Sequence, residues 1–165
     1  MDKIRPYDYE IKGGVENVYG FSTIDRIGYE IKFIPSSDYF IAHPDLDIAA
    51  FEMTISVVAN PIGDRLPADK RTAPTIFAIF QDFFLPKTYI VVFICDSSDG
   101  RAEARNRKFD LWFRANVTPA DLLKKLDRGV LDGDQIIYLS LILSRLNPNA
   151  DKIVAVFATL GEEHK

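Results

Sequence analysis

One stretch of the sequence limits the possible folds more than any other, the run Tyr89-Ile-Val-Val-Phe-Ile-Cys95. It is apolar and rich in β-branched residues, without polar alternation, which is typical of a strand buried on both faces. A second buried strand is predicted at residues 136–143, ending before Asn147-Pro148. We expect Tyr89–Cys95 to be a central strand of a sheet.

The chain up to Asn60 predicts antiparallel β-structure. Apolar and polar residues alternate over residues 19–23 and 27–33, and the alternation returns over residues 47–58. We expect a β-meander in which one side of each strand faces solvent.

Three segments have the spacing of amphipathic helices. The first begins near Thr72 and ends at Pro86, and its two apolar stripes predict a helix packed between a sheet and another element. The second covers about residues 101–115, and the third follows Pro148.

Residues 119–131 have two possible interpretations. Thr118-Pro119-Ala120-Asp121 has the pattern of a capped helix start, and Gly129 could end that helix. A strand that is joined by a hairpin turn at residues 132–134 to the strand at 136–143 fits equally well.

These elements predict a single α+β domain over residues 1–165. Its sheet is antiparallel or mixed, with an N-terminal meander followed by helix, strand, helix, strand and helix. We expect the helices to pack mainly on one face.

Composition excludes several classes of protein. With 47 % hydrophobic and 27 % charged residues, the chain is neither disordered nor of low complexity. A net charge of -4 gives no overall basic field toward nucleic acid or a membrane surface. The single cysteine allows no internal disulfide, and no apolar run approaches the length of a bilayer span. We expect a cytoplasmic protein with no membrane partner.

The segment after Cys95 is the strongest candidate for function. A polar loop at the carboxyl end of a central strand, leading into a helix, is a common ligand site because free N–H groups converge there. Arg101, Arg105, Lys108 and Trp112 share one face of that helix, and we call them the basic strip. Residues 101–114 contain five basic and two acidic residues, a local charge of +3.

Three interpretations of this segment compete. An anion could bind to the serines and to the backbone after Gly100, with Arg101 and Arg105 as counter-charges. Asp96 and Asp99 could instead hold a divalent cation such as Mg²⁺. In the structural interpretation, which is favoured because caps are common, Ser98 or Asp99 caps the helix. The candidate binding residues are Asp96, Ser97, Ser98, Asp99, Gly100, Arg101, Arg105, Lys108 and Trp112.

Outside this segment, nothing in the sequence predicts a catalytic residue, a metal centre or a cofactor. His43 has neither a cysteine nor a patterned carboxylate near it in sequence, and His164 lies in the tail. Cys95 lies within an apolar run, where a lone thiol behaves as a small buried hydrophobe. We therefore lean against an enzyme.

Several segments resemble a family of small bacterial proteins described only as a domain of unknown function. They are Ile94-Cys-Asp-Ser-Ser-Asp-Gly-Arg101, Arg105-Asn106-Arg107 through Phe109 to Trp112-Phe113, Tyr138-Leu-Ser-Leu-Ile-Leu with Asn147-Pro148, and the early Phe21-Ser-Thr and Tyr29-Glu-Ile-Lys-Phe. The resemblance implies a bacterial source and brings no activity or cofactor with it.

We expect a small non-catalytic interaction module, an accessory or immunity-type component that acts through a protein partner or as a homo-oligomer. The first alternative is binding of an anion, nucleotide, phosphate ligand or nucleic acid at the segment from Cys95 to Trp112. The second is a metal-dependent hydrolase that uses Asp96 and Asp99 with a further carboxylate such as Glu52 or Asp82.

Overall fold

The predicted strands form one sheet in the computed structural model, which describes residues 3–36, 40, 43–46, 48–63, 65–95 and 100–160. Within these ranges there are seven strands and three α-helices. In chain order they are β1 Glu10–Gly13, β2 Val18–Ser22, β3 Gly28–Pro35, β4 Ala49–Ala59, α1 Thr72–Phe83, β5 Tyr89–Cys95, α2 Ala102–Asn116, β6 Leu123–Asp132, β7 Gln135–Ser144 and α3 Ala150–Phe157. No helix in the described ranges is long and apolar enough to cross a membrane.

The sheet is mixed, with the strand order β1-β2-β3-β4-β5-β7-β6. β1 to β4 form the predicted antiparallel meander. β5 pairs parallel to β4 because α1 returns the chain across the sheet, and the β6–β7 hairpin joins the other side of β5 in antiparallel pairing. The predicted α+β class is confirmed.

α1 and α2 share one face of the sheet, and α3 covers part of the other. β5 and β7 are apolar on both sides, so each face of these strands needs a cover. Val91 and Ile142 belong to the core beneath α1 and α2, whereas Val92 and Leu141 belong to the core beneath α3. All four side chains are fully buried. The helices therefore pack mainly on one face, as predicted.

The two apolar stripes of α1 face different partners. Phe80 and Phe83 pack on Phe33 of β3, with ring centroids 5.8 Å and 3.9 Å away. Phe77 faces α2 instead, where its centroid lies 5.9 Å from that of Phe109. α1 is thus held between the sheet and α2, and its remaining surface forms one wall of the clefts described below.

The structure decides between the two interpretations of residues 119–131, mostly in favour of the strand. The capping box is real, since the Thr118 amide donates to Asp121 Oδ2 at 2.7 Å, but only the 3-10 turn Pro119–Asp121 follows it. Leu122 adopts a left-handed conformation with φ of +55°, which ends the turn. β6 then runs through Gly129, which pairs with Tyr138 of β7.

Candidate functional site

Four of the predicted site residues, Asp96, Ser97, Ser98 and Asp99, lie outside the described residues. Gly100, which follows them, has φ of +73°, a conformation that favours glycine, and open space where a Cβ would lie. Before them Cys95 ends β5 as a buried thiol, and burial raises the pKa of that thiol, with Arg105 partly opposing the shift. A raised pKa makes the thiol a poor nucleophile.

The basic strip divides into two parts. Arg101 stands at the N-cap of α2 and Arg105 lies in its first turn, both exposed, and each takes part in other interactions within the chain. Lys108 and Trp112 contact each other, with Lys108 Nζ 4.9 Å from the centre of the indole ring. Lys108 is exposed and Trp112 is half-buried. Neither Arg101 nor Arg105 lines a cleft that Trp112 also lines.

Trp112 forms a wall of two adjoining clefts, beside α1 and the loop that precedes it. The first, which we call the apolar groove, has a volume of about 670 Å³ and lies between the start of the chain, α1 and the end of α2. It is lined by Lys3, Ile4, Pro6, Asp69, Lys70, Ala73, Pro74, Phe77, Ala78, Gln81, Trp112, Ala115, Asn116 and Thr118.

The second cleft, which we call the basic cleft, has a volume of about 600 Å³. Its lining includes two cationic side chains, two aromatic rings and an apolar stretch of the loop before α1. These residues are Tyr29, Arg65, Leu66, Pro67, Ala68, Asp69, Thr72, Lys108 and Trp112.

Among the described residues that line the two clefts, cations outnumber carboxylates in each. Lys3 and Lys70 line the apolar groove, and Arg65 and Lys108 line the basic cleft. In the part of the chain that the structure describes, none of these four cations has a carboxylate within 4.0 Å. Asp69 is the carboxylate that borders both clefts.

The carboxylates near the clefts are already occupied. Asp69 Oδ2 accepts a hydrogen bond from the Tyr7 hydroxyl at 2.7 Å, and Asp69 Oδ1 accepts one from the Arg71 amide at 2.8 Å. At the far end of the apolar groove, Gln81 donates to Asp121 at 2.9 Å. Within the described residues, these carboxylates are bound to other groups and leave the four cations able to meet an acidic ligand.

Arg71 holds the start of the chain against α1. Its guanidinium donates to the carbonyl oxygens of Arg5 at 2.9 Å and Pro6 at 3.1 Å, and lies 3.9 Å from the centre of the Tyr7 ring. The Tyr7 amide donates to Thr75 Oγ1 at 2.8 Å. Burial and the hydrogen bond to Asp69 raise the pKa of Tyr7, so its hydroxyl is a stable donor. This network places Ile4 and Pro6 on the wall of the apolar groove.

A buried lysine fixes α2 to the sheet beneath the clefts. Lys125 of β6 has a side chain that is 3 % exposed and contacts the carboxylates of Asp110 in α2, at 3.0 Å, and Asp127 in β6. Ser140 of β7 donates a hydrogen bond to Asp127 at 2.6 Å. The cluster ties α2 to β6 and β7, and so holds Lys108 and Trp112 in place.

The two carboxylates that were considered as partners of Asp96 and Asp99 point to opposite faces of the sheet. Asp82 of α1 accepts a hydrogen bond from the Tyr19 hydroxyl at 2.8 Å, and burial, more than this bond, raises the pKa of Tyr19. Glu52 alternates with Met53 in β4 and therefore faces the α3 side. Among the described residues, no three His, Cys, Asp or Glu side chains are grouped to hold a metal ion.

Sequence reasoning missed most of the residues that line the clefts. The linker before α1 supplies Arg65, Asp69 and Lys70 to the clefts. The one signal available was its cluster of cations next to prolines. No local pattern indicates that Ile4 lines a cleft, because Arg71, more than sixty residues away in sequence, holds the start of the chain in place.

The model of one protein family, DUF6169, a family of unknown function, matches residues 68–159 of this chain. The matched region begins just before α1 and ends after α3, so it contains Trp112 and Lys108 but not Ile4 or Arg65. No curated protein and no solved structure matches the chain significantly.

Proposed function

The chain belongs to the DUF6169 family, a family of unknown function, and we propose that it is a non-catalytic interaction module that binds a segment of a protein partner in the apolar groove. The observation that carries this proposal is the groove beside Trp112, to which α1 contributes Ala73, Pro74, Phe77 and Ala78 and, at one end, Gln81. Grooves of this kind between helices accept apolar anchors of peptide segments.

Charge around the groove supports a protein segment of acidic character. Lys3 and Lys70 border the groove without a carboxylate partner among the described residues. The whole chain carries a net charge of -4, so these cations form a local feature and not part of a general basic surface. Such complementarity selects partners and speeds their association.

A nucleic acid or another anion on the basic strip is the second candidate. Arg101, Arg105 and Lys108 are all exposed along one side of α2, which favours it. Against it, Lys108 lies over the Trp112 ring and covers one face on which a base would stack. Arg101 and Arg105 also take part already in interactions within the chain.

The proposed place of action is the bacterial cytoplasm. A buried lone thiol at Cys95 fits a reducing compartment, in which disulfides are rare. An accessory or immunity-type component of this kind needs no cofactor, because its action is binding alone.

Panning of a random twelve-residue peptide library tests the proposal. We expect peptides with a large apolar residue to be enriched on the wild-type protein and lost on Ala78→Gln, which fills the groove with a polar side chain. Ala104→Gln is the matched control, since Ala104 is exposed on α2 away from the groove. No enrichment on the wild type, or equal binding to both variants, would overturn the proposal.

A further inference from the structure

We propose that the basic cleft binds a carboxylate of the same partner segment, so that the module selects an acidic residue next to an apolar anchor. This inference rests on the proposed function, because it assigns the second half of a bound segment. The expected partner is an acidic segment of another protein.

Continuity between the two clefts is the first argument. Trp112 and Asp69 line both the apolar groove and the basic cleft, so the two spaces adjoin. A segment whose apolar side chain lies against Phe77 can pass Trp112 and place its next residues in the basic cleft. The two spaces, about 670 Å³ and 600 Å³, are each large enough for side chains of a bound segment.

The charges of the basic cleft are the second argument. Arg65 and Lys108 line the same cleft, and neither has a carboxylate partner in the part of the chain that the structure describes. Asp69 keeps its negative charge at the edge of the cleft, but its oxygens accept hydrogen bonds from the Tyr7 hydroxyl and the Arg71 amide and not from Arg65 or Lys108. A guanidinium binds a carboxylate with two parallel hydrogen bonds, and an ammonium adds a third donor group.

The lining of the basic cleft combines two cations with apolar side chains, which suits a carboxylate that is attached to an apolar segment. Leu66, Pro67, Tyr29 and Trp112 line the cleft together with the two cations. Apolar groups of a bound segment can pack on these side chains while its carboxylate meets Arg65 and Lys108 near the surface. A long polyanion such as nucleic acid would instead need more cations along a surface than the two that line this cleft among the described residues.

The experiment compares peptides selected on the wild type with those selected on the double variant Arg65→Gln/Lys108→Gln. The control is Arg107→Gln/Lys152→Gln, which removes the same charge from exposed positions outside both clefts. The best wild-type peptide is labelled, and its affinity is measured by fluorescence polarisation, beside the same peptide with its acids replaced by amides. A dT12 oligonucleotide is measured at the same salt concentration.

We expect wild-type peptides to be rich in Asp and Glu. The labelled peptide should bind the double variant about three- to tenfold more weakly and the control nearly as well as wild type, since Arg65 and Lys108 are exposed and two exposed ion pairs together contribute roughly that factor. The amide peptide should bind wild type and double variant equally.

Four results would overturn the inference. The inference fails, and the proposed function stands, if peptides whose binding is lost on Ala78→Gln show no excess of Asp and Glu. The same holds if the double variant and its control lose equal affinity for the labelled peptide. No enriched peptide on the wild type would remove both. Binding of dT12 that depends on Arg65 and Lys108 and displaces the peptide would show that the cleft recognises phosphate.

Discussion

Lys125→Met removes the cation that fixes α2 to the sheet while keeping an unbranched apolar stem. In the native protein the Lys125 side chain is 3 % exposed, and it contacts Asp110 of α2 and Asp127 of β6. The Phe109 ring lies 5.9 Å from its ammonium group. Methionine can keep the packing on this ring, so the substitution isolates the loss of charge.

The expected loss follows from burial. Breaking a buried ion pair from one side costs about 3–5 kcal/mol because an unpaired charge stays behind. Here the carboxylates left behind are 25 % and 38 % exposed, and water can solvate them in part. We therefore expect a loss of about 2–3 kcal/mol in the free energy of unfolding, which for a chain of this length lowers Tm by roughly 5–10 °C.

Chemical and thermal denaturation measure this loss, with Arg114→Met as the matched control. Arg114 contacts the same Asp110 at 2.9 Å, but its side chain is 74 % exposed. An exposed pair contributes about 0–1 kcal/mol, so the control should unfold almost as wild type does. Equal losses in the two variants, or a Lys125→Met protein as stable as wild type, would refute the reasoning.

Three further predictions concern other parts of the fold. Because burial raises the pKa of Tyr19 above its ordinary value of 10.0, stability should fall as pH rises above about 10, where only the unfolded chain loses this proton. Tyr19→Phe should reduce that alkaline loss of stability, and should cost about 1 kcal/mol at neutral pH because the hydrogen bond to Asp82 is lost. The free energy of unfolding is measured by urea titration at several pH values, and an unchanged dependence of this free energy on pH would contradict the prediction. Cys95 should react with a thiol reagent only in denaturant, and rapid labelling of native protein would count against its raised pKa. Arg71→Leu should speed hydrogen exchange of the Tyr7 amide while leaving amides of β5 protected. If the Tyr7 amide exchanges equally fast in wild type and in Arg71→Leu, Arg71 does not hold the start of the chain.

The sequence was most informative where a single periodicity governs an element. Strands such as Tyr89–Cys95 have no competing pattern, and burial on both faces follows from the absence of polar residues. The two stripes of α1 likewise predicted a helix packed on two sides. Residues 119–131 could not be assigned, because the capping box at Thr118 and the strand pattern after it are both genuine. Only the left-handed Leu122 separates them, and a non-glycine residue gives little sign of that conformation.

The candidate site was harder to predict than the fold. Helical spacing placed Lys108 and Trp112 together, and the structure brings them into contact. The same spacing grouped Arg101 and Arg105 with them, yet these two lie outside the clefts. Spacing along one helix cannot show what lies opposite it. Arg65 and Ile4 each line a cleft with Trp112 although they lie far from it in sequence, and one sequence holds no pattern for such a meeting.

Because of its position, Trp112 can report ligand binding through its intrinsic fluorescence. It is the single tryptophan of the chain, so the intrinsic emission of the tryptophan comes from the ring between the two clefts. An apolar side chain that displaces water from the groove should shift that emission to the blue. A carboxylate that draws Lys108 from its place 4.9 Å above the ring should instead change the intensity. Occupation of either side of the indole can thus be distinguished without any label.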